Sequence, residues 1–292
     1  MISSPRLTLV GRAAAQVLRD HEITSLPVCP IEIAERNDIT VEGMSSGQPG
    51  CSGMLVRNGN NFGILYSTDV KNDGFQRFSV AHELGHYFLP EHPENVLRHG
   101  PHLSKAGFSS SDPYEREADF FAAALLMPRA LFQIACERVP EGLEGVLQLS
   151  EQCRTSITAS AINYAKMAHA PVAVILSIDG KVKCCFQSDN MKRARVGWCH
   201  KGDAVPSGSL TASILCGKTP YLGEPIYGET DLQDWFGCDQ SQPAREEVTR
   251  LHWPGELLTL LFAAALPADD RYLDDEDDEE DLVESWTPRF KR

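Results

Sequence analysis

His82, Glu83 and His86 lie in the stretch FSVAHELGHYFLP, residues 78–90. Side chains four apart on a helix share one face, so the two imidazoles can offer their nitrogens to a single ion. Glu83, one step round the helix, can reach a water on that ion without ligating it. Two nitrogen ligands, a nearby carboxylate base and an open coordination position are what metal-assisted hydrolysis requires. Phe78, Ala81, Leu84, Gly85 and Phe88 recur at a spacing of three to four, which predicts an amphipathic helix with one apolar face buried. A histidine pair on a surface helix would not need that setting.

A catalytic zinc site takes at least three protein ligands. Residues 113–128, PYEREADFFAAALLMP, form the next predicted helix, with Asp112 as N-cap and Pro113 in its first position. It offers two carboxylates, Glu115 and Glu117, which point to different sides. Glu115 lies on the line of Ala118, Asp119 and Ala122, and is the choice for third ligand. Asp119, one turn on, can accept the free ring N–H of a ligating histidine. Ala118 and Ala122–Ala124 would let this helix pack close to the first.

Other elements must position these residues. Residues 11–20 read as a helix, Pro30 as the start of a short second one, and 39–41 as a strand. Residues 53–66 read as a hairpin turning at Asn58–Gly59. Its second strand, 64–67, is a candidate to hold an extended substrate through main-chain bonds. Residues 91–112 read as a mobile loop over a cleft, with His92, His99 and His102 as candidates to steady an oxyanion.

The combination HELGH, then E-x-x-A-D-x-F-A-x-x-L-L-M-P, resembles the ImmA/IrrE family of metallo-endopeptidases. LPVCPIEIA, FGILYS and RFSVAHELGHYFL precede it in the family's order. The likeness covers residues 10–130 best. It implies a gluzincin-like peptidase with His82, His86 and Glu115 as zinc ligands and Glu83 as general base. It further implies a helix-turn-helix transcriptional repressor as substrate, whose cleavage would release stress-response, DNA-damage or mobile-element genes. An N₂O donor set also admits manganese.

Residues 141–168 read as helix, turn and helix, resembling a helix-turn-helix. Only Arg154 and Lys166 are basic there, too few to grip phosphates, so packing or partner docking is expected rather than direct DNA binding. From residue 171 the pattern changes to strands and short helices, beginning with a hairpin turning at Asp179–Gly180. Longer members of the family imply a GAF-like sensor domain here. The fold expected is therefore α+β: a zincin-like peptidase domain over 1–140, a helix-turn-helix-like segment over 141–170, and a GAF-like domain over 171–292.

Composition excludes little. Hydrophobic residues at 42% and charged ones at 23% are ordinary for a globular chain of 292 residues. The net charge of −14 owes most to residues 269–281, which hold ten of the 41 acidic residues, and it argues against tight non-specific DNA binding. Nine cysteines, odd in number and without a C-x-x-C pair, read as free thiols in a reducing compartment. With no bilayer-length apolar run and no leader pattern, a cytoplasmic protein without a membrane partner is expected. A competing reading makes the metal site structural and puts function in ligand or partner sensing by the C-terminal domain.

Overall fold

A computed structural model describes residues 4–45, 51–104, 112–221, 223–251 and 254–263. They fall into two compact units, one within Met1–Ile134 and Glu151–Ser156, the other within Ala135–Ser150 and Ile157–Asp281. The acidic tract at 269–281 lies outside the described residues.

The first unit opens with α1 (Ser4–Asp20) and α2 (Pro30–Glu35), the latter with Pro30 in its first turn. Three strands follow, β1 (Thr40–Met44), β2 (Gly53–Asn58) and β3 (Asn61–Ser67). Then come α3 (Asp73–Phe88), α4 (His92–Val96), β4 (His102–Ser104), α5 (Pro113–Leu126) and α6 (Arg129–Cys136). β2 and β3 form the expected hairpin, but it turns one residue later than expected, at Gly59–Asn60 instead of Asn58–Gly59, with Asn58 paired to Asn61 across the turn. The sheet order is β1-β3-β2-β4, with β1 parallel to β3 and the other pairs antiparallel.

That order overturns the expectation for residues 64–67. β3 is hydrogen-bonded on one side to β1, Thr40↔Gly63 through Met44↔Ser67, and on the other to β2. Both its edges are taken, so it has no free main-chain row for an added strand. The loop expected over 91–112 is also partly ordered as secondary structure, as α4 and β4. Its residues 105–111 lie outside the described residues.

α3 differs from the amphipathic helix expected. Every residue from Arg77 to His86 is buried, so no side of that stretch faces solvent. It packs on β2 and β3, on α2 and most extensively on α5. Small residues make this possible: a Cβ on Gly85 would lie 3.0 Å from Ala118 Cα of α5. Asn72 caps α3 by accepting from Phe75 N–H, and Asp112 caps α5 by accepting from Tyr114 N–H. The core joins Val10, Ala14 and Val17 of α1, Ile33 of α2, Leu55 and Ile64 of the sheet, Leu84 of α3 and Phe121 and Leu125 of α5.

The second unit contains α8 (Ile157–Met167), which follows α7 (Leu143–Cys153). Ala159–Ile162, Tyr164 and Ala165 of α8 are buried. After it come β5 (Val172–Ile178), β6 (Lys181–Gln187), α9 (Asp189–Arg193), α10 (Leu210–Leu215), β7 (Ile226–Asp231), α11 (Leu232–Phe236), β8 (Pro243–Arg250) and β9 (Glu256–Phe262). β5 and β6 are the expected hairpin around Asp179–Gly180. The five strands are antiparallel in the order β6-β5-β9-β8-β7. The described residues thus form a mixed α+β structure. No single helix among them is long and apolar enough to cross a membrane; the bent pair α5 and α6 passes by length and composition alone.

Candidate metal centre

His82 and His86, one turn apart on α3, are both fully buried, and their Nε2 atoms approach to 3.1 Å. α5 brings Glu115 to them: Oε1 lies 3.1 Å from His86 Nε2 and Oε2 lies 3.6 Å from His82 Nε2. One donor atom from each of the three residues falls within 4.8 Å of the others. A tetrahedral ion with bonds of about 2.0–2.1 Å spaces its ligand atoms about 3.3 Å apart. The separations found would suit a ligand set around one ion.

The hydrogen bonds behind the rings lead to the same conclusion. His82 Nδ1 lies 2.7 Å from Asp119 Oδ1, one turn beyond Glu115 on α5. A carboxylate there requires the proton on Nδ1, which leaves Nε2 as a lone pair facing the site. His86 Nδ1 has its own partner, His92 Nδ1 at 3.1 Å. If both histidines keep their protons on Nδ1, two lone pairs confront each other at Nε2. Only a cation between them, or a proton, relieves that repulsion.

Without an ion the proton is the answer, and the electrostatics place it on His82. Burial disfavours the imidazolium, but the Asp119 and Glu115 carboxylates outweigh it and hold His82 well above its ordinary value. His86 goes the other way: burial pushes it down to about 3. Burial would also raise Glu115, yet hydrogen bonds from His102, His82 and His86 hold its carboxyl far below the usual carboxylate range. Glu115 is therefore ionised, as a ligand must be.

Glu83 is fully buried, and neither of its oxygens has a hydrogen-bond partner among the described residues. Burial raises its carboxyl to about 7, against opposing pulls from His82 and the nearby Ser104 hydroxyl. β2 passes directly over it: a Cβ on Gly53 would stand 2.6 Å from Glu83 Oε1. An unpartnered buried carboxylate beside a ligand set is a group poised to take up a proton.

Glu117, the alternative third ligand, faces elsewhere. Its Oε2 lies 3.2 Å from His92 Nε2, and its Oε1 lies 2.5 Å from Arg6 Nε on α1. Of the three candidate loop histidines, His99 is exposed and His92 is buried behind His86. His102, on β4, puts its Nε2 2.6 Å from Glu115 Oε1. Burial works against its protonation, but Glu115 holds the His102 ring above its ordinary value. The contacts of His92 and His102 were missed from the sequence. The signal available was only that three histidines follow the HELGH helix closely.

Residues 34–152 match the family model described as the IrrE N-terminal-like domain, Peptidase_M78. No curated protein matches the chain. Among solved structures, a Mycobacterium tuberculosis transcriptional regulator is similar with a TM-score of 0.53 at 10% identity, covering 89% of this chain and 77% of that one. At that identity the likeness speaks for the fold alone. The HELGH helix and the helix bearing Glu115 both lie inside the matched stretch, so residues 34–152 belong to the IrrE N-terminal-like domain of the ImmA/IrrE metallopeptidase family.

Proposed function

We propose that the chain is a metal-dependent endopeptidase that cleaves a helix-turn-helix transcriptional repressor. The observation that carries this reading is the convergence of His82, His86 and Glu115 beside the unpartnered carboxylate of Glu83. When bound, zinc or manganese would supply Lewis acidity to a water molecule and to the scissile carbonyl. The remaining work falls to the chain. His82 and His86 present Nε2 lone pairs, and Glu115 contributes the negative charge that completes the set. Asp119 fixes the His82 ring through Nδ1–H. Glu83 accepts the proton of the attacking water at a carboxylate oxygen and delivers it to the leaving nitrogen. Burial of the whole group excludes bulk water, which strengthens each of these interactions.

The test is to look for a helix-turn-helix repressor among the genes beside this one and to incubate that protein with the full chain loaded with zinc or manganese. Glu83→Gln should keep stoichiometric metal and lose cleavage. Cutting at the wild-type rate by that variant would remove Glu83 from the mechanism.

One observation favours a second reading, a regulatory binding protein with a structural site. His102 Nε2 is already 2.6 Å from Glu115, so a fourth protein donor stands near the ligand set. A structural site closes with four protein ligands, whereas a catalytic one keeps a position for water. In either reading residues 171–292 serve as a GAF-like sensing domain, a role supported by the five-stranded antiparallel sheet with helices about it.

A further inference from the structure

His92 and Glu117 are a buried imidazole and a buried carboxyl beside the site that the mechanism does not use. His92 is fully buried and Glu117 is 3% exposed. Burying an imidazole and a carboxylate is costly unless each is paired, so their partners define what they do. Each of their near partners belongs to one line. His86 Nδ1 meets His92 Nδ1 at 3.1 Å, His92 Nε2 meets Glu117 Oε2 at 3.2 Å, and Arg6 Nε meets Glu117 Oε1 at 2.5 Å. Tyr114 of α5 stands edge-on to the His92 ring, 4.8 Å between centroids, and fixes its plane. Glu91, in the left-handed region at φ 68, turns the chain so that His92 enters under α3.

With Glu117 ionised and both imidazoles neutral, one proton arrangement satisfies this line. Glu117 is acceptor-only when ionised, so His92 must donate from Nε2 and carry a lone pair on Nδ1. That lone pair can face only a donor, which makes His86 a donor at Nδ1 and leaves its Nε2 as a lone pair. Nε2 is the nitrogen turned toward His82 and Glu115. A carboxylate two bonds away therefore selects the tautomer that His86 needs to bind a metal.

We propose that His92 and Glu117 are positioning residues for the metal centre, acting as a relay that fixes the tautomer and ring orientation of His86. The two histidines of the site are then held by different devices: His82 directly by Asp119, and His86 by Glu117 through an intervening imidazole. Arg6, from α1, pairs with the Glu117 carboxylate and ties the first helix of the unit to the site. The proposal rests on the metal-site reading above.

The test is equilibrium zinc affinity of the full chain, read by competition with a chromophoric chelator, together with the thermal midpoint of the metal-free protein. His92→Ala and Glu117→Gln should each weaken zinc binding about 10–100-fold, the effect expected of groups that orient a ligand. His92→Asn places a carbonyl oxygen near the position of Nδ1, so it should restore most of the affinity lost in His92→Ala. With the link to Glu117 cut, adding Glu117→Gln to His92→Asn should cause no further loss. Histidine ring ¹⁵N shifts of the metal-free protein should show His86 protonated at Nδ1 in the wild type and a tautomer mixture in His92→Ala. If His92→Ala does not fold, the isosteric Glu117→Gln reads the same line. Wild-type zinc affinity in Glu117→Gln, or a further loss when Glu117→Gln is added to His92→Asn, would overturn the relay. Failure of the wild type itself to bind zinc would instead overturn the metal site.

Discussion

Replacing Glu83 by glutamine in the metal-free protein should stabilise it, and the gain should grow with pH. The carboxyl is fully buried without a hydrogen-bond partner among the described residues. Burial raises it from 4.5 to about 7, so the unfolded chain loses this proton well before the folded one does. Below pH 4.5 both states hold the proton and Glu83 contributes nothing. Between about 4.5 and 7 the folded state binds more protons, and stability falls as pH rises. At about 1.4 kcal/mol per pH unit of separation, the penalty reaches about 3 kcal/mol at pH 8 and stays below about 1 kcal/mol at pH 5. Urea unfolding of chelator-treated wild type and Glu83→Gln at both pH values measures it. Other titrating groups largely cancel between variant and wild type. The variant should gain about 2–3 kcal/mol more at pH 8 than at pH 5. An equal difference at the two pH values would mean that Glu83 is solvated or paired, and would refute the claim that it is a poised, unpartnered base.

Three further outcomes follow from the packing. Gly53→Ala sets a Cβ 2.6 Å from Glu83 Oε1, so it should displace the carboxylate and lower cleavage about 100-fold while zinc stoichiometry stays at wild type. Gly85→Ala sets a Cβ 3.0 Å from Ala118 Cα, a backbone atom that cannot swing aside. It should cost about 1–3 kcal/mol in denaturant unfolding and, by spreading α3 from α5, weaken zinc binding as well. Chelation should lower the thermal midpoint of the wild type and zinc should restore it, while Glu115→Ala should show no zinc-dependent shift.

The convergence of His82, His86 and Glu115 was legible because helical periodicity fixes their faces locally. His82 and His86 are one turn apart, and so are Glu115 and Asp119. Capping by Asp112 and Pro113 marked where the second helix begins. Choosing Glu115 over Glu117 needed only the observation that Asp119 shares its face. The hairpins were legible for a similar reason, since a short turn marks where the chain reverses, although the first turns one residue beyond the Asn58–Gly59 pair and only the second has the register its turn residues imply. Strand order was not, because it depends on contacts distant in sequence: β1 comes to lie parallel to β3 and closes the edge that seemed available for substrate. The burial of α3 on every side from Arg77 to His86 was hidden because Gly85 and Ala118 set an interhelical distance that no single-helix pattern encodes. His92 and His102 were invisible as partners because they sit in a segment without periodicity, placed by a left-handed residue and a three-residue strand.

The most direct test of the account is a zinc-edge anomalous diffraction map of the full chain. The account predicts one peak per chain, bonded to His82 Nε2, His86 Nε2 and a Glu115 oxygen, with the next position held by water and Glu83 alongside. A peak elsewhere, or one completed by His102 as a fourth protein ligand, would contradict it.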